Sequence, residues 1–320
     1  MTDTTTADPG GQAARGGAHP GTRTGAQAGA GPSPGTGMAA RQALRKRRER
    51  VRRWAWGIPM WLLALVFLLP FAWMISTSLK PDVEAFRIPM QWIPDEPRWE
   101  NYTEVLFGES SILIPFGNSV FVATLRVLGE LTTATLAGYA FAKLRFPGRG
   151  KVFIAYLATS LIPAQLLLVP RFVYFEKLSL YDTLWALILP GMFTVLGTFL
   201  MRQYFVSQPD EFAEAARLDG ANELQIFFRI YLPNALSMIS ALAILTFVWS
   251  WNDYETPLVF LSTPENYTLP MGLTSFTDEN GAMAAGLSMA ASVISIVPIL
   301  LVFLIFQRRF VRAMTESALK

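Results

Sequence analysis

The sequence predicts an all-α integral membrane protein with six transmembrane helices. The chain of 320 residues is 52% hydrophobic and only 16% charged, and its mean hydropathy is +0.33. Soluble domains have about 45 to 50% apolar and about 25% charged residues. Residues 1–53 contain almost no large apolar side chains, so the apolar excess is concentrated in the rest of the chain. This composition excludes a soluble enzyme.

Cysteine and histidine chemistry is excluded by composition as well. The chain contains 0 Cys, and its 1 His, His19, lies in the N-terminal tail. Disulfides, thiolate nucleophiles and metal sites built from His and Cys are therefore not expected. We expect no metal site and no cofactor bound by this chain.

The N-terminal tail, residues 1–53, is predicted to be disordered and to end in a basic flank. Residues 1–40 are mainly Gly, Ala, Thr and Pro, which cannot bury enough apolar surface to offset the entropy of ordering. The basic run from Arg45 to Arg53 directly precedes the first apolar stretch. This position favours a flank that holds a membrane segment's N-terminus in the cytoplasm over a nucleic-acid site. No apolar region precedes the run, so we expect no cleaved signal peptide.

Six apolar stretches are long enough, or nearly long enough, to cross a membrane. A hydrocarbon core about 30 Å thick needs roughly 20 helical residues. Each crossing is expected to be a helix because lipid offers no partner for unpaired backbone groups. We place the six helices at 55–76, 117–141, 152–170, 184–203, 235–251 and 285–307.

Loop charges predict that both termini are cytoplasmic. The N-terminal flank, the loop around residues 143–151 and the segment from Arg308 to Arg312 are basic, and they alternate with the acidic connections 77–116 and 252–284. Parity then places the connection 204–234 in the cytoplasm, although acidic residues outnumber basic ones there. An acidic loop on the cytoplasmic side suggests a specific function.

Residues 208–233 are predicted to form two short helices separated by a turn. Asp210 can cap the first helix, Gly220 suits the left-handed residue that ends it, and Asn222 with Gln225 forms a capping-box pattern for the second. Pro233 marks the bend into the fifth membrane helix. Phe212, Ala215 and Ala216 are expected to give the first helix an apolar side, as Ile226, Phe227 and Ile230 do for the second.

This segment resembles the signature of the permease subunits of binding-protein-dependent ABC importers. The spacing of Glu214-Ala215-Ala216, Gly220, Ile230 and Leu232-Pro233 matches that signature, and the loop lies two crossings before the C-terminus, as in the family. The resemblance implies the type I permease fold and a loop that docks into a cleft of the ATPase subunit. The residues that it implicates in ATPase coupling are Glu211, Glu214, Ala215, Ala216, Asp219, Gly220, Ile230 and Pro233.

Shorter strings resemble the carbohydrate branch of this family, in particular the second permease of the maltose-transporter type. They include Glu100-Asn101-Tyr102, Ile162-Pro163-Ala164-Gln165, Asp182-Thr183-Leu184 and Trp251-Asn252-Asp253-Tyr254. The implied permease domain is 54–312, with coupling loop 204–234 and a short cytoplasmic tail, 313–320. That tail departs from the family's usual Gly-rich ending, so a tail contact with the ATPases is not expected.

The resemblance also implies the partners. They are a homologous permease, two ATPase subunits that bind ATP and Mg, an extracytoplasmic sugar-binding protein and the lipid of the cell membrane. No Gly-x-x-x-x-Gly-Lys-Ser/Thr phosphate loop occurs in the chain, so we expect that it is not an enzyme and that a partner hydrolyses ATP. No nucleic-acid partner is expected. The solute is expected to be a sugar or oligosaccharide.

Three other interpretations remain open at this point. The same machine could carry another solute such as glycerol phosphate. An ion-coupled secondary transporter predicts internal hydropathy symmetry and ionisable residues near the midplane of several helices, whereas helices one and three to six show none there. A scaffolding membrane protein gives no reason for the acidic hairpin.

Two further groups of polar residues are candidates for function. Asn252, Asp253 and Tyr254 follow the interface residues Trp249 and Trp251 and can contact a hydroxylated solute or simply cap a helix. Arg126 and Glu130 are four residues apart within the second helix, so we expect an intramembrane ion pair that fixes packing or gates the pathway.

Overall fold

The computed structural model describes residues 57–85, 87–276 and 284–318, with side chains as far as residue 307, and its regular structure in these ranges is helical. The predicted tail 1–53, its basic flank and His19 lie outside the described residues. The helices are α1 (Gly57–Ser78), α2 (Asp82–Ala85), α3 (Glu100–Phe107), α4 (Leu113–Lys143), α5 (Arg149–Thr159), α6 (Leu168–Lys177), α7 (Trp185–Gly191), α8 (Val195–Val206), α9 (Glu211–Leu218), α10 (Glu223–Ile226), α11 (Leu232–Asn234), α12 (Leu236–Trp251), α13 (Glu255–Phe260), α14 (Leu269–Gly272) and α15 (Ala285–Ala318).

Four helical segments and two bent helix pairs are long and apolar enough to cross a membrane. The single segments are Gly57–Ser78, Leu113–Lys143, Trp185–Val206 and Ala285–Gln307. The pairs are Arg149–Thr159 with Ala164–Lys177, bent by 85°, and Glu223–Asn234 with Leu236–Trp251, bent by 73°. If each pair crosses once, the described residues contain the six predicted spans.

The third predicted helix, 152–170, is wrong as one continuous element. The structure has α5, a break and then a 3-10 turn, Ala164–Leu167, that leads into α6. Pro163 lies in the break with ψ of 131°. Proline has no backbone N–H and disfavours helical geometry in the residue before it, so the helix ends ahead of Pro163 and resumes in a new direction.

The fourth predicted helix, 184–203, is also interrupted. α7 ends at Gly191 and α8 begins at Val195, with Thr194 as the N-cap between them. The Gly197 backbone N–H donates to Thr194 Oγ1 at 3.0 Å. This bond satisfies one of the donors that a new helix start leaves free, so the hydroxyl stabilises the restart.

Helix α4 is the central element of the described bundle. It packs against α7, α8 and α12, and α12 packs in turn against α15. Its 31 residues span about 46 Å at 1.5 Å each. Lys143 at its end binds the Gln208 carbonyl, whereas Asn118 near its start donates to the carbonyls of Glu265 and Tyr267. The 208–233 segment and the region after α12 therefore lie at opposite ends of α4.

By its packing the chain divides into residues 1–66 and residues 67–320. The described part of the first unit, residues 57–66, is the start of α1, and its large apolar side chains are exposed. The second unit contains three buried apolar clusters.

Candidate functional site

The two short helices predicted at residues 208–233 are present and form a hairpin. Gly220, after α9, has φ of +82°, which is the left-handed conformation that the sequence predicts. Asn222 and Gln225 form the predicted capping box, since each side chain accepts a bond of 2.9 Å from the other residue's backbone N–H. A π-helical turn, Phe227–Tyr231, follows α10. Local signals therefore predicted this turn correctly.

Asp210 does not cap α9 as predicted. It occupies the N-cap position, but its side chain makes no capping hydrogen bond and instead accepts from Lys143 Nζ. The bond from Lys143 holds the pKa of Asp210 below its ordinary value, against the opposing effect of partial burial. The carboxylate attaches the hairpin to α4 because a cation at the end of α4 is a stronger partner than a neutral backbone N–H.

Hydrogen bonds attach the hairpin to α4 at a second point. The Tyr139 hydroxyl donates to Glu223 Oε2 at 2.9 Å, and Arg217 Nε donates to Glu223 Oε1 at 3.0 Å. Glu223 thereby joins α9, α10 and α4. No residue near Glu223 in the sequence indicates these partners, and the predicted coupling set did not include Glu223.

The buried face of the hairpin differs in part from the predicted one. Ala213 on α9 and Ile226 and Phe227 on the second helix are buried in one cluster with Tyr139 and Phe205. Phe212 and Ala215, which were expected on the apolar side, are exposed. Ala216 and Ile230 are half-buried, as an apolar side requires. Ala213 and Phe212 are neighbouring apolar residues on α9, so the sequence alone does not show which of them is buried. Packing against the bundle buries the smaller side chain, Ala213.

The outward surface of the hairpin combines large apolar side chains with carboxylates. Phe212, Leu218 and Leu224 are 61%, 90% and 65% exposed. The exposed members of the predicted coupling set are Glu211, Glu214, Ala215, Asp219, Gly220 and Pro233. A cavity of about 840 Å³ lies between the hairpin and the connection after α4, and Glu214 and Arg217 contribute to its lining.

Pro233 lies two residues before the bend into the fifth helix, where α11 meets α12 at Ala235. It lies in α11, which continues directly from the π-helical turn Phe227–Tyr231. Its predicted association with this bend agrees with the geometry within two residues.

Arg126 and Glu130 do not form the predicted ion pair. Arg126 Nη1 binds Asp253 Oδ2 at 3.0 Å, so its partner comes from a residue 127 positions away. Glu130 is 2% exposed and accepts from Thr246 Oγ1 at 2.9 Å and from Thr194 Oγ1. The two side chains are one turn apart on α4, but they have different partners. Arg126 binds the carboxylate of Asp253, and Glu130 accepts from the hydroxyls of Thr194, the N-cap of α8, and Thr246 on α12.

Asn252, Asp253 and Tyr254 have different environments. Asn252 Nδ2 donates to the Val248 carbonyl at 2.8 Å, which closes the end of α12. Asp253 binds Arg126 and also accepts from the Thr256 backbone N–H at 3.1 Å, which starts α13. Tyr254 is 41% exposed. The first two side chains therefore hold structure together, and solute contact by the three residues remains a proposal.

A polar pocket near the middle of α4 brings together residues that the sequence analysis named and residues that it did not. Arg126 and Gln165 line it together with Arg171 and Glu255, which the sequence analysis did not name as site residues. The third helix was predicted to end at residue 170, so Arg171 was counted as outside the membrane, whereas α6 continues to Lys177. The break that Pro163 imposes was the signal that could have moved this helix end.

Residues 132–316 match the protein family described as "Binding-protein-dependent transport system inner membrane component". The arabinooligosaccharides transport system permease protein AraQ of Halalkalibacterium halodurans is 32% identical over 279 residues, which cover 87% of this chain and 100% of the relative. The sn-glycerol-3-phosphate transport system permease protein UgpE of Pectobacterium atrosepticum is 34% identical over 262 residues, which cover 80% of this chain and 92% of the relative.

The fold has a counterpart among solved structures. The crystal structure of a bacterial ABC transporter involved in the import of the acidic polysaccharide alginate superposes with a TM-score of 0.72 at 24% identity, and the match covers 82% of this chain and 98% of that chain. At this level of identity the similarity establishes the helical permease fold alone.

Proposed function

Because the chain belongs to the family of binding-protein-dependent transport system inner membrane components, the permease subunits of ABC importers, we propose that its solute is a sugar or oligosaccharide. It is a multi-pass inner-membrane protein and a transport component rather than an enzyme. The family assignment replaces the ion-coupled and scaffolding alternatives. Glycerol 3-phosphate is the second candidate solute, because permeases named for it are as similar to this chain as those named for arabinooligosaccharides.

The hairpin of residues 208–233 is the element that engages an ATPase partner. The observation that carries this proposal is its two-sided construction. Ala213 and Ile226 anchor it in the bundle, while Phe212, Leu218 and Leu224 remain exposed beside Glu214. Apolar side chains at the centre of a charged surface are typical of protein interfaces.

The attachments to α4 support transmission of movement. Lys143 binds Asp210, and Tyr139 and Arg217 both bind Glu223, so a displacement of the hairpin pulls on α4 at two separate points. A rigid element held in this way passes force into the membrane helices better than a flexible loop does. In this proposal, both termini and the hairpin are cytoplasmic.

The other partners follow from the same assembly. Two ATPase subunits bind ATP and Mg, a homologous permease completes the pathway, and an extracytoplasmic binding protein delivers the solute. The family name supports the last of these, since it describes transport that depends on a binding protein. The permease domain is 54–312, with a short cytoplasmic tail at 313–320.

Two substitutions in the hairpin test the proposal. Gly220→Pro removes the left-handed turn, whose φ of +82° proline cannot adopt, and Glu214→Lys reverses a charge on the exposed face. Each variant is expected to insert in the membrane at the wild-type level and to lose at least about tenfold of its co-purifying ATPase. For Gly220→Pro the reason is a strained turn, which costs on the order of 1 kcal/mol and also misdirects α9. For Glu214→Lys the reason is the reversed charge on the exposed face.

The matched control is Glu265→Lys, an equal charge reversal on an exposed residue at the opposite end of α4, which should retain the ATPase. ATPase content is measured by quantitative immunoblotting of the purified complex, and uptake is measured in energised vesicles. Stable ATPase association and full ATP-driven uptake in both hairpin variants would falsify the assignment.

A further inference from the structure

The pocket that contains Arg126 and Arg171 lies about midway along α4. Its volume is about 220 Å³, and residues of α4, α6, α7 and α13 line it. Arg126 is 13 residues from the start of the helix at Leu113, which is about 20 Å along its axis, and 17 residues, about 26 Å, from Lys143 at its end. The pocket therefore lies far from both ends of the helix that spans the bundle.

Arg171 has no carboxylate within 4.0 Å among the described side chains. Its guanidinium lies over the Phe260 ring, 4.6 Å from the ring centroid, and its Nε is buried without a hydrogen-bond partner. Stacking on an aromatic face fixes the plane of the guanidinium and leaves its edge N–H groups free to donate. The side chain is thus held in place with unused donors.

Arg126 is held in place by two contacts. Asp253 binds one end of its guanidinium, and Gly191 makes room for the other, since a Cβ at Gly191 would lie 2.1 Å from Arg126 Nε. Any side chain at Gly191 would displace the guanidinium. The pocket is therefore built around a fixed arginine.

Charged residues at this depth are costly in lipid and face either the bundle interior or a water-filled cavity. Glu255 and Gln165 at the pocket are exposed, and Gln165 Nε2 donates to Glu255 Oε2 at 3.4 Å. Both side chains are exposed at the surface of the subunit, so the mouth of the pocket opens at that surface.

We propose that this pocket is a solute subsite that binds one neutral, polyhydroxylated unit, with Arg171 and Arg126 donating to solute oxygens and Glu255 accepting from solute hydroxyls. The inference rests on the proposed transport function and specifies its substrate class. Two guanidinium groups and the carboxylates of Asp253 and Glu255 give the site a formal charge of zero. A hydroxyl both donates and accepts, so it satisfies both kinds of group, whereas a phosphate dianion would meet the Glu255 carboxylate without net compensation.

The size of the pocket agrees with this class. At about 30 Å³ per water in the liquid, 220 Å³ corresponds to about seven waters, which suits a single sugar ring rather than a whole oligosaccharide. A longer solute would pass through with one unit in the pocket at a time.

Thiol labelling tests whether the pocket is open to water. The chain has 0 Cys, so a single substitution gives this chain one thiol, whose labelling is followed on this subunit. In the assembled transporter, Gln165→Cys should react with sulfonatoethyl methanethiosulfonate at least about tenfold faster than Leu128→Cys, a control at an exposed apolar position two residues beyond Arg126 on α4. Equal rates at the two positions would overturn the proposal.

The substrate class is tested by protection without ATP. Arabinotriose or maltotriose should slow the labelling of Gln165→Cys at least about threefold, and sn-glycerol 3-phosphate should not. Protection by sn-glycerol 3-phosphate alone would overturn the assignment to neutral solutes. If neither sugar slowed the labelling, the proposed subsite would be overturned.

Uptake by the complete transporter provides an independent measurement. Arg171→Lys retains the charge and loses the planar fork, so it should raise the half-saturating solute concentration about tenfold without changing the amount of assembled complex. Arg202→Lys is the matched control, because Arg202 stacks similarly on Phe153 at 4.2 Å outside the pocket, and its uptake should stay within about twofold of wild type. Equal kinetics for the two variants would overturn the role of Arg171. A wild-type complex with no ATP-driven uptake would instead overturn the proposed transport function, which the labelling results do not require.

Discussion

At the scale of single residues, the charged side chains Arg126 and Glu130 on α4 are each stabilised by residues that are distant in the sequence. Arg126 binds Asp253 and is packed against Gly191, while Glu130, four residues later, is enclosed by Thr194 and Thr246. Burying a charge is tolerated only when hydrogen bonds replace its hydration. Helical spacing allowed a pair between Arg126 and Glu130, but the bundle provides each with a different partner.

A double-mutant cycle on Arg126 and Asp253 tests this assignment. Asp253→Asn retains the oxygen that accepts from the Thr256 N–H and removes the charge, so it should destabilise the purified protein by about 2 kcal/mol by leaving Arg126 without its anion. Adding Arg126→Gln should recover part of this loss. The measurement is thermal unfolding of each variant in detergent.

The comparison cycle pairs Arg126→Gln with Glu130→Gln. We expect a coupling energy of about 1 kcal/mol or more for Arg126 with Asp253 and less than about 0.5 kcal/mol for Arg126 with Glu130. A larger coupling between Arg126 and Glu130 would restore the pairing within α4 and contradict the pairing of Arg126 with Asp253.

At the scale of elements, side-chain hydrogen bonds connect segments that are distant in the chain. Asp182, in the connection between α6 and α7, accepts from the backbone N–H groups of Ser262 and Thr263 at 2.9 and 3.1 Å and from the Thr263 hydroxyl. Its backbone carbonyl accepts from Asn266 Nδ2 at 2.7 Å, and its φ of +57° is one that aspartate and asparagine tolerate. This residue thus joins the α6–α7 connection to the segment after α13.

Asp182 gives this connection a specific dependence on pH. Burial alone would raise the pKa of Asp182, but the hydrogen bonds from Ser262, Thr263 and Asn266 outweigh it and hold the pKa well below its ordinary value. The folded state therefore releases this proton more readily than the unfolded state. The stabilisation is fully present above the unfolded pKa of about 3.9 and is lost as pH falls through that value towards the folded pKa.

Asp182→Asn isolates this contribution, since asparagine tolerates the positive φ and retains one acceptor oxygen. The difference in melting temperature between wild type and Asp182→Asn should stay constant from about pH 7 to pH 5 and shrink below about pH 4. Melting curves in detergent at stepped pH measure it. A difference that does not vary down to pH 3 would show that the bonds do not depend on the carboxylate charge.

At the scale of the whole molecule, two of the six spans depend on bent helix pairs. The pair of α5 and α6 is bent by 85°, and the pair that ends in α12 by 73°. Length and composition allow each pair to be one broken span or a re-entrant loop. The hairpin and the region after α12 lie at opposite ends of α4, which agrees with six crossings.

Reporter fusions after Phe146, Ser179, Ser207 and Thr263 test the number and direction of crossings. Fusions after Phe146 and Ser207 should fluoresce as cytoplasmic green fluorescent protein, and those after Ser179 and Thr263 should be active as external alkaline phosphatase. The basic loop after α4 and the alternation of spans predict this pattern. The same location for Phe146 and Ser179 would mean that α5 and α6 form a re-entrant loop.

The membrane class, the six apolar stretches, the left-handed turn at Gly220 and the capping box at Asn222 follow from local sequence alone. Hydropathy summed over some 20 residues and backbone preferences within one turn are local quantities, so they need no knowledge of the fold. The family signature in the hairpin is likewise a short, fixed spacing, and residue order alone is enough to identify the permease from it.

Which side chains meet depends on how the helices pack. Asp210 binds Lys143 instead of capping α9, Arg126 binds Asp253, and Arg171 joins the pocket because Pro163 redirects its helix. The first two outcomes are competitions between a local partner and a distant one. For both carboxylates the distant cation is a stronger partner than a neutral group nearby, and only the packing of the helices brings it within reach.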